Sequence, residues 1–223
     1  MTLKNYAKYL MGSSREYESH LENIFRLSSK SLKQFKPANL LDVGCGDGNR
    51  TLLLAQHFHI PPGRTFGVEF YEPHIRKARE NFHTSQIDLE TDPLPYDDGT
   101  FDLVICNQVL EHLKNYQDVL EQMIRTTKSG GYIILGIPNM AHLINRFLLI
   151  FGIQPMCIDL YSSHVRGFTH KAFKQMLRST SGVSYIACTG SNLIYPLPLF
   201  LAKPVSRLCV DICAYTCYLV RKS

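Results

Sequence analysis

Residues 40–48 read Leu-Leu-Asp-Val-Gly-Cys-Gly-Asp-Gly, an apolar run that opens into glycine at every second position. A second apolar run, Phe66-Gly67-Val68, ends on the acid Glu69, 21 residues beyond Gly48. Glycine alone accepts positive φ angles and close backbone approach at low cost, so Gly44, Gly46 and Gly48 clear a stretch of main chain for a ligand. A helix starting beyond them offers unpaired amides and a positive dipole end, which suit a carboxylate or phosphate. An acid at the end of the next strand accepts hydrogen bonds from paired ribose hydroxyls. Together these residues have the chemistry to hold a nucleoside-bearing cofactor.

Spacing narrows the choice. A dinucleotide fingerprint needs its third glycine three residues after the second, and Asn49 stands there. The third glycine comes one residue too early, with Asp42 just ahead of the loop, which argues against NAD or FAD.

Hydrophobic periodicity supplies the elements that must position these groups. Tyr17, Leu21, Ile24, Phe25, Leu32 and Phe35 fall on one helical stripe, and Pro37 ends that helix before a strand over 39–43. A helix over 49–58, the breaker Pro61-Pro62-Gly63, a strand over 65–69, a helix over 72–82 and a short strand over 85–88 follow. Residues 101–106 and 132–137 are continuous apolar runs, typical of strands covered on both faces, and a helix over 118–128 lies between them. Alternating strands and helices with short links predict a parallel sheet wrapped by helices.

Past Pro138 the rhythm breaks. The pattern predicts an apolar helix over 140–150, a loop over 152–167, a helix over 169–180, a strand over 183–189, a helix over 199–213 and a last strand over 215–220. Buried core is the default expectation for the apolar stretches 140–153 and 193–213. The competing hypothesis is a hydrophobic entry for a lipid-like acceptor that touches a membrane surface.

Composition bounds the partners. Residues 1–37 carry seven Lys/Arg against three acids, residues 38–159 nine against fifteen, and residues 160–223 eight against one. The acidic middle suits a cationic cofactor and the basic ends an anionic substrate or surface. No basic-aromatic interleaving marks a nucleic-acid track, so no such partner is expected. Seven cysteines, an odd number scattered in apolar runs, do not read as a disulfide framework. Cys209, Cys213 and Cys217 are expected as small core residues on one helix face, and no metal ligands are assigned. The first ten residues lack the apolar core of a signal peptide, so a cytoplasmic protein is expected, in peripheral contact with a membrane under the lipid hypothesis.

The chain resembles the class I S-adenosyl-methionine-dependent methyltransferases, of the type acting on small molecules, lipids and sugars. The matching signatures are residues 40–48, Gly67-Val68-Glu69, the stretch from Asp88 to Pro95, Phe101-Asp102-Leu103-Val104, Leu110-Glu111-His112-Leu113 and Lys128-Ser129-Gly130-Gly131, in the family's order. The resemblance implies an α/β fold, a Rossmann-like seven-stranded and mostly parallel sheet with helices on both faces and only the last strand antiparallel. It implies S-adenosyl-methionine as cofactor, with S-adenosyl-homocysteine as product. It implies one domain over 1–223: a helical cap (1–37), a cofactor-binding core (38–138), a cap-like insertion with its helix (139–180) and a completion of the sheet (181–223).

Residue roles follow from the same resemblance. Gly44, Cys45, Gly46 and Gly48 would lie under the methionine moiety, with Asp42 near its amino end. Glu69 would bind the ribose hydroxyls and Phe70 would pack beside the adenine. Asp88 would face the adenine amine with Leu89 nearby, and Asn107 and Gln108 would border the sulfonium. The reaction would be methyl transfer to oxygen or carbon of a lipid, quinone-like or sugar acceptor. A base is required only where the acceptor must lose a proton. His112, just past the sulfonium-bordering segment, is a candidate for that base and equally a capping or orienting histidine. His164 and Arg166 come from the insertion, where Arg166 would clamp an anionic acceptor. The rivals are an aminopropyl transferase, opposed by Asn107 and Gln108 where that family carries acids, and a catalytically silent cofactor-binding module.

Overall fold

The computed structural model describes residues 13–158, 163–191 and 209–223. Its elements are α1 (Ser13–Ser31), β1 (Leu40–Val43), α2 (Asn49–His57), β2 (Thr65–Glu69), α3 (Glu72–Arg79), β3 (His83–Gln86), β4 (Phe101–Asn107), α4 (Tyr116–Thr126), β5 (Thr127–Pro138), α5 (Leu143–Ile150), α6 (His170–Ser179), β6 (Val183–Ser191) and β7 (Tyr215–Lys222). The strands form one sheet in the order β3-β2-β1-β4-β5-β7-β6. β7 pairs antiparallel with both β5 and β6, while the remaining pairings are parallel, so the last strand alone is reversed. The Rossmann-like sheet expected from the sequence is the one observed.

Period-2 alternation builds a core on each face of this sheet. Leu40 of β1 with Leu103 and Ile105 of β4 joins Leu21, Ile24 and Leu27 of α1 on one side. Leu41 and Val43 with Val104 and Cys106 join Val119, Leu120 and Met123 of α4 on the other. β1 is therefore buried throughout and β4 everywhere but at Asp102 and Asn107, as their largely apolar runs require. Polar stitching sets the register at the strand starts. The Ala38 and Asn39 amides donate to Asp102 Oδ2 (2.9 and 3.2 Å), and the Asp102 amide donates to Asn39 Oδ1 (2.7 Å). Lys128 pairs with the other oxygen of Asp102 at 2.8 Å.

Several boundaries differ from the sequence expectation. α1 stops at Ser31, after which Leu32 stays bonded to Ser28 and Phe35 to Leu32 in looser turns that still reach the core. α4 runs two residues earlier than its pattern, because Lys128 to Gly131 already belong to β5 through an irregular register opposite Phe101 and Leu103. Most of the helix expected over 199–213 lies outside the described residues. Its described end is a single 3-10 turn, Val210–Ile212. Cys209 is exposed whereas Cys213 and Cys217 are buried, with Cys217 inside β7, so the three do not share a helix face.

The default of a buried core fails for 140–153. α5 is inverted: its buried member is the polar Asn145, while Phe147, Leu149, Ile150, Phe151 and Ile153 are exposed, Phe151 by 76%. Asn145 faces inward because its amide is consumed there. It donates to the Met140 carbonyl (2.8 Å) and accepts from the Met156 amide (2.9 Å), pinning the following loop. Among the described residues no helix is long and apolar enough to cross a membrane.

Candidate functional site

β1 neighbours β2 on one side and β4 on the other, so the sheet changes winding direction between β1 and β4. Crevices at such a point, beyond the carboxyl ends of the strands, are where ligands enter this class of sheet. A cavity of about 770 Å³ opens there, within the range of small-molecule sites. Asp42, Gly44, Cys45, Gly46, Glu69, Phe70, Asp88, Leu89, Asn107, Gln108 and His112 all line it. Gly48 stands behind this lining as the left-handed cap of α2.

The loop after β1 is shaped by its glycines for different reasons. Gly44 (φ +81°) has no room for a side chain, since a Cβ would stand 2.3 Å from Val109 Cγ2. Gly46 (φ +55°) has room, and an added Cβ meets nothing within 4 Å. Bare backbone in the left-handed region, turned to open space, is a cradle for a ligand; this fits the nucleoside cofactor that the sequence implies. A Gly46→Ala variant tests the point. The fold should persist at a cost of about 1–2 kcal/mol for the left-handed alanine. S-adenosyl-homocysteine should bind about tenfold more weakly by calorimetry, about 1.4 kcal/mol. Undiminished binding in the folded variant overturns the cradle.

Glu69 does more than wait at a strand end. Its Oε2 accepts from the Gly46 amide (3.0 Å), and its Oε1 accepts from the Phe70 and Tyr71 amides (both 2.9 Å). The carboxylate therefore clasps the glycine loop to the end of β2, and what it offers a ribose is its remaining acceptor capacity. Phe70, 64% exposed, stands at the cavity rim. Asp88 Oδ1 caps its own turn through the Glu90 amide (2.9 Å), and Asn115 holds the Leu89 carbonyl (2.9 Å).

Asp42 lies beneath the loop, fully buried, and accepts from Thr51 Oγ1 at 2.6 Å. Burial pushes its carboxyl up to about 6, against the hydrogen bond from Thr51 and the charge of Arg50, which pull it down. Gln108 adopts φ +60°, a rare conformation for a residue with a side chain. Its amide donates to the Gly136 carbonyl (2.8 Å), which holds the turn against the end of β5. The neighbouring Asn107 keeps a buried Nδ2 without a partner among the described residues.

The three residues expected to act on an acceptor separate. His112 lines the cavity mouth; burial lowers its pKa, so it is neutral at neutral pH. His164 stands edge-on behind it, ring centroids 4.7 Å apart, and is not part of the cavity lining. Arg166 lies away from the cavity. Its guanidinium covers the Tyr116 ring at 4.6 Å and donates to the Lys114 carbonyl. The sequence reading passed over Glu111, whose carboxylate is fully buried beside the two histidines with both oxygens unpartnered among the described residues. Burial pushes that carboxyl up to about 8.

Residues 41–135 match a family of methyltransferase domains. Among curated proteins, the chain is 26% identical over 146 residues to the ajmaline N-methyltransferase of Rauvolfia serpentina, covering 59% of this chain and 49% of that one. It is 26% identical over 193 residues to a demethylmenaquinone methyltransferase of Bacillus mycoides, covering 80% and 78%. The chain spans about half the length, or less, of the first curated relatives it matches. Among solved structures, the magnesium protoporphyrin IX methyltransferase of Synechocystis with bound S-adenosyl-homocysteine superposes with a TM-score of 0.61 at 14% identity, over 91% and 82% of the two chains.

Proposed function

We propose that this chain, whose residues 41–135 form a class I S-adenosyl-methionine-dependent methyltransferase domain, moves a methyl group to an oxygen or carbon of a lipid-like small molecule. The observation that carries the acceptor class is the inverted helix α5. Its exposed face, Phe147, Leu149, Ile150 and Phe151 with Ile153 beyond, is larger and more apolar than a water-soluble acceptor requires. The apolar face follows directly on β5, whose neighbour β4 leads into the cavity mouth at His112. A relative named for demethylmenaquinone supports a quinone-like member of this class.

The bound cofactor supplies a sulfonium methyl that is already activated. What remains for the protein is to align the acceptor and exclude water. Asp42 offers a buried negative charge for an ammonium group, the Gly46 backbone offers a bare face with room beside it, and Glu69 holds that backbone in position through the Gly46 amide. Asn107 and Gln108 border the space between this floor and His112. The reacting atom of the acceptor has to arrive at the histidine side of the cavity.

Incubation with methyl-radiolabelled cofactor and a cell extract tests the reading. Label should enter the organic phase, and a Phe147→Ser/Ile150→Ser/Phe151→Ser variant should lose most of that transfer while keeping its affinity for S-adenosyl-homocysteine. The same variant should no longer sediment with anionic vesicles. Label confined to small aqueous molecules would reject the lipid class, and no label in any fraction would reject methyl transfer.

A further inference from the structure

We propose that Glu111, His112 and His164 bind a divalent transition-metal ion of the zinc class at the mouth of the cavity. One candidate donor atom from each side chain lies within 4.8 Å of the other two. Donors sharing one ion at bonds of about 2.0–2.2 Å stand roughly 3–4 Å apart, so small side-chain rotations close the set.

The tautomers of both histidines are set for ligation. His112 Nδ1 lies 3.2 Å from the Ser163 carbonyl oxygen, and His164 Nδ1 lies 2.6 Å from the Cys157 carbonyl oxygen. A carbonyl only accepts, so each ring donates through Nδ1, and Nε2 is the atom it would turn to an ion. This is the outer support that metal-binding imidazoles ordinarily have, with the ring orientation fixed by a carbonyl on the far side. The chain builds it across a long separation, since Ser163 follows His112 by 51 residues.

Glu111 supplies the second, independent observation. Its side chain is 0% exposed, and neither carboxylate oxygen has a hydrogen-bond partner among the described residues. A buried carboxyl without partners has to be kept neutral, by a proton or by a bound cation. Yet the backbone around it is closely fitted: the Val165 and Arg166 amides both donate to the Glu111 carbonyl, at 3.0 and 3.1 Å, and draw the loop carrying His164 over the carboxylate. A cation there would take the place of the Glu111 proton, with the two imidazoles as its neighbouring donors.

Two imidazoles and one carboxylate make three protein ligands, the number found where a metal keeps open positions for water or substrate. His112 lines the cavity, so those positions face the acceptor side. An acceptor hydroxyl bound there would lose its proton more readily, a consequence that rests on the methyl-transfer reading; the binding of the ion does not.

The test uses the purified chain, stripped with a chelator and titrated with Co²⁺ alone while its visible absorption is followed. The expected result is one ion per chain, with bands of nitrogen and oxygen ligation, and at least tenfold weaker uptake in Glu111→Gln and in His164→Asn. Binding of S-adenosyl-homocysteine by each variant checks that the fold is intact. Cobalt-edge X-ray absorption of the wild-type protein reads the ligands without any variant: imidazole and carboxylate shells support the site, and a sulfur shell from the cysteines overturns it. Absence of uptake, or uptake unchanged in both variants, also overturns it. Ion binding without methyl transfer would reject the proposed function and leave this site standing; transfer by an ion-free protein that takes up no Co²⁺ would do the reverse.

Discussion

Replacing Glu69 with alanine is expected to weaken cofactor binding by about 1.5–3 kcal/mol, roughly 10- to 150-fold, with little loss of thermal stability. The size follows from two jobs held by one carboxylate. Its spare acceptor capacity faces the cavity, where a ribose would use it through charge-assisted bonds. Its other bonds tie down the Gly46, Phe70 and Tyr71 amides, so the variant also frees the loop that forms the floor. Stability changes little because those amides lie at the surface of the cavity and can turn to water.

Glu69→Gln separates the two jobs. An amide oxygen can keep the Phe70 and Tyr71 bonds, but its NH₂ cannot accept from Gly46, so the clasp opens while a hydrogen-bonding group remains. Calorimetry with S-adenosyl-homocysteine gives the affinities, and hydrogen exchange at the Gly46 amide reports the clasp. Affinity unchanged in Glu69→Ala would remove Glu69 from the cofactor site. Unchanged exchange at Gly46 would remove the clasp alone.

The parts of this molecule that could be read from its sequence are those where one local cause dominates. β1, β2 and β4 are apolar runs punctuated by glycine or acid, and burial on both faces leaves such runs no other stable arrangement. β3 was expected over 85–88 and forms over His83–Gln86, because an edge strand of polar residues carries almost no burial pattern. The start of β5 was hidden by Gly130-Gly131, which reads as a helix stop. Gly131 is instead required inside the strand, where a Cβ would stand 2.9 Å from the Asp102 carbonyl oxygen.

The site divides along the same line. The floor is contiguous in sequence or set by strand ends, so the cofactor residues named from the sequence, all but Gly48, line one cavity. The mouth depends on a loop folding back over 51 residues, whose Val165 and Arg166 amides bond to the Glu111 carbonyl and bring His164 beside Glu111 and His112. Arg166 illustrates the converse. Its place in the insertion suggested an anion clamp, but Tyr116, far off in sequence, captures the guanidinium. The inversion of α5 was illegible for a different reason: a helix apolar on nearly every side has no stripe from which to read its inner face.

Asp42→Asn is expected to raise the stability of the cofactor-free protein and at the same time to cost most of its cofactor affinity. The carboxyl is fully buried and titrates at about 6 instead of 3.8, chiefly from desolvation. A folded state that holds this proton more tightly than the unfolded chain loses stability as pH rises from about 4 through about 6, then stays level above. At neutral pH the charged form therefore destabilises the fold by up to about 3 kcal/mol, and an uncharged asparagine recovers about 1–3 kcal/mol of it after the cost of its extra N–H. Urea unfolding at pH 7.5 should show the gain, and the gap should close near pH 4, where wild-type Asp42 is half protonated even in the unfolded chain. The cofactor reverses the balance, because an ammonium group brought to Asp42 favours the charged carboxylate and binding below pH 6 must first expel the proton. Wild-type affinity should thus fall as pH drops below about 6, whereas the variant should bind at least tenfold more weakly at pH 7.5 with no such slope. A wild-type stability curve flat between pH 4 and 6, or a variant that binds as tightly as wild type, would show that the charge beneath the glycine loop serves neither purpose. The opposite signs are the diagnostic, since a merely structural aspartate would lose stability on replacement, whereas one kept for a cationic ligand gains it.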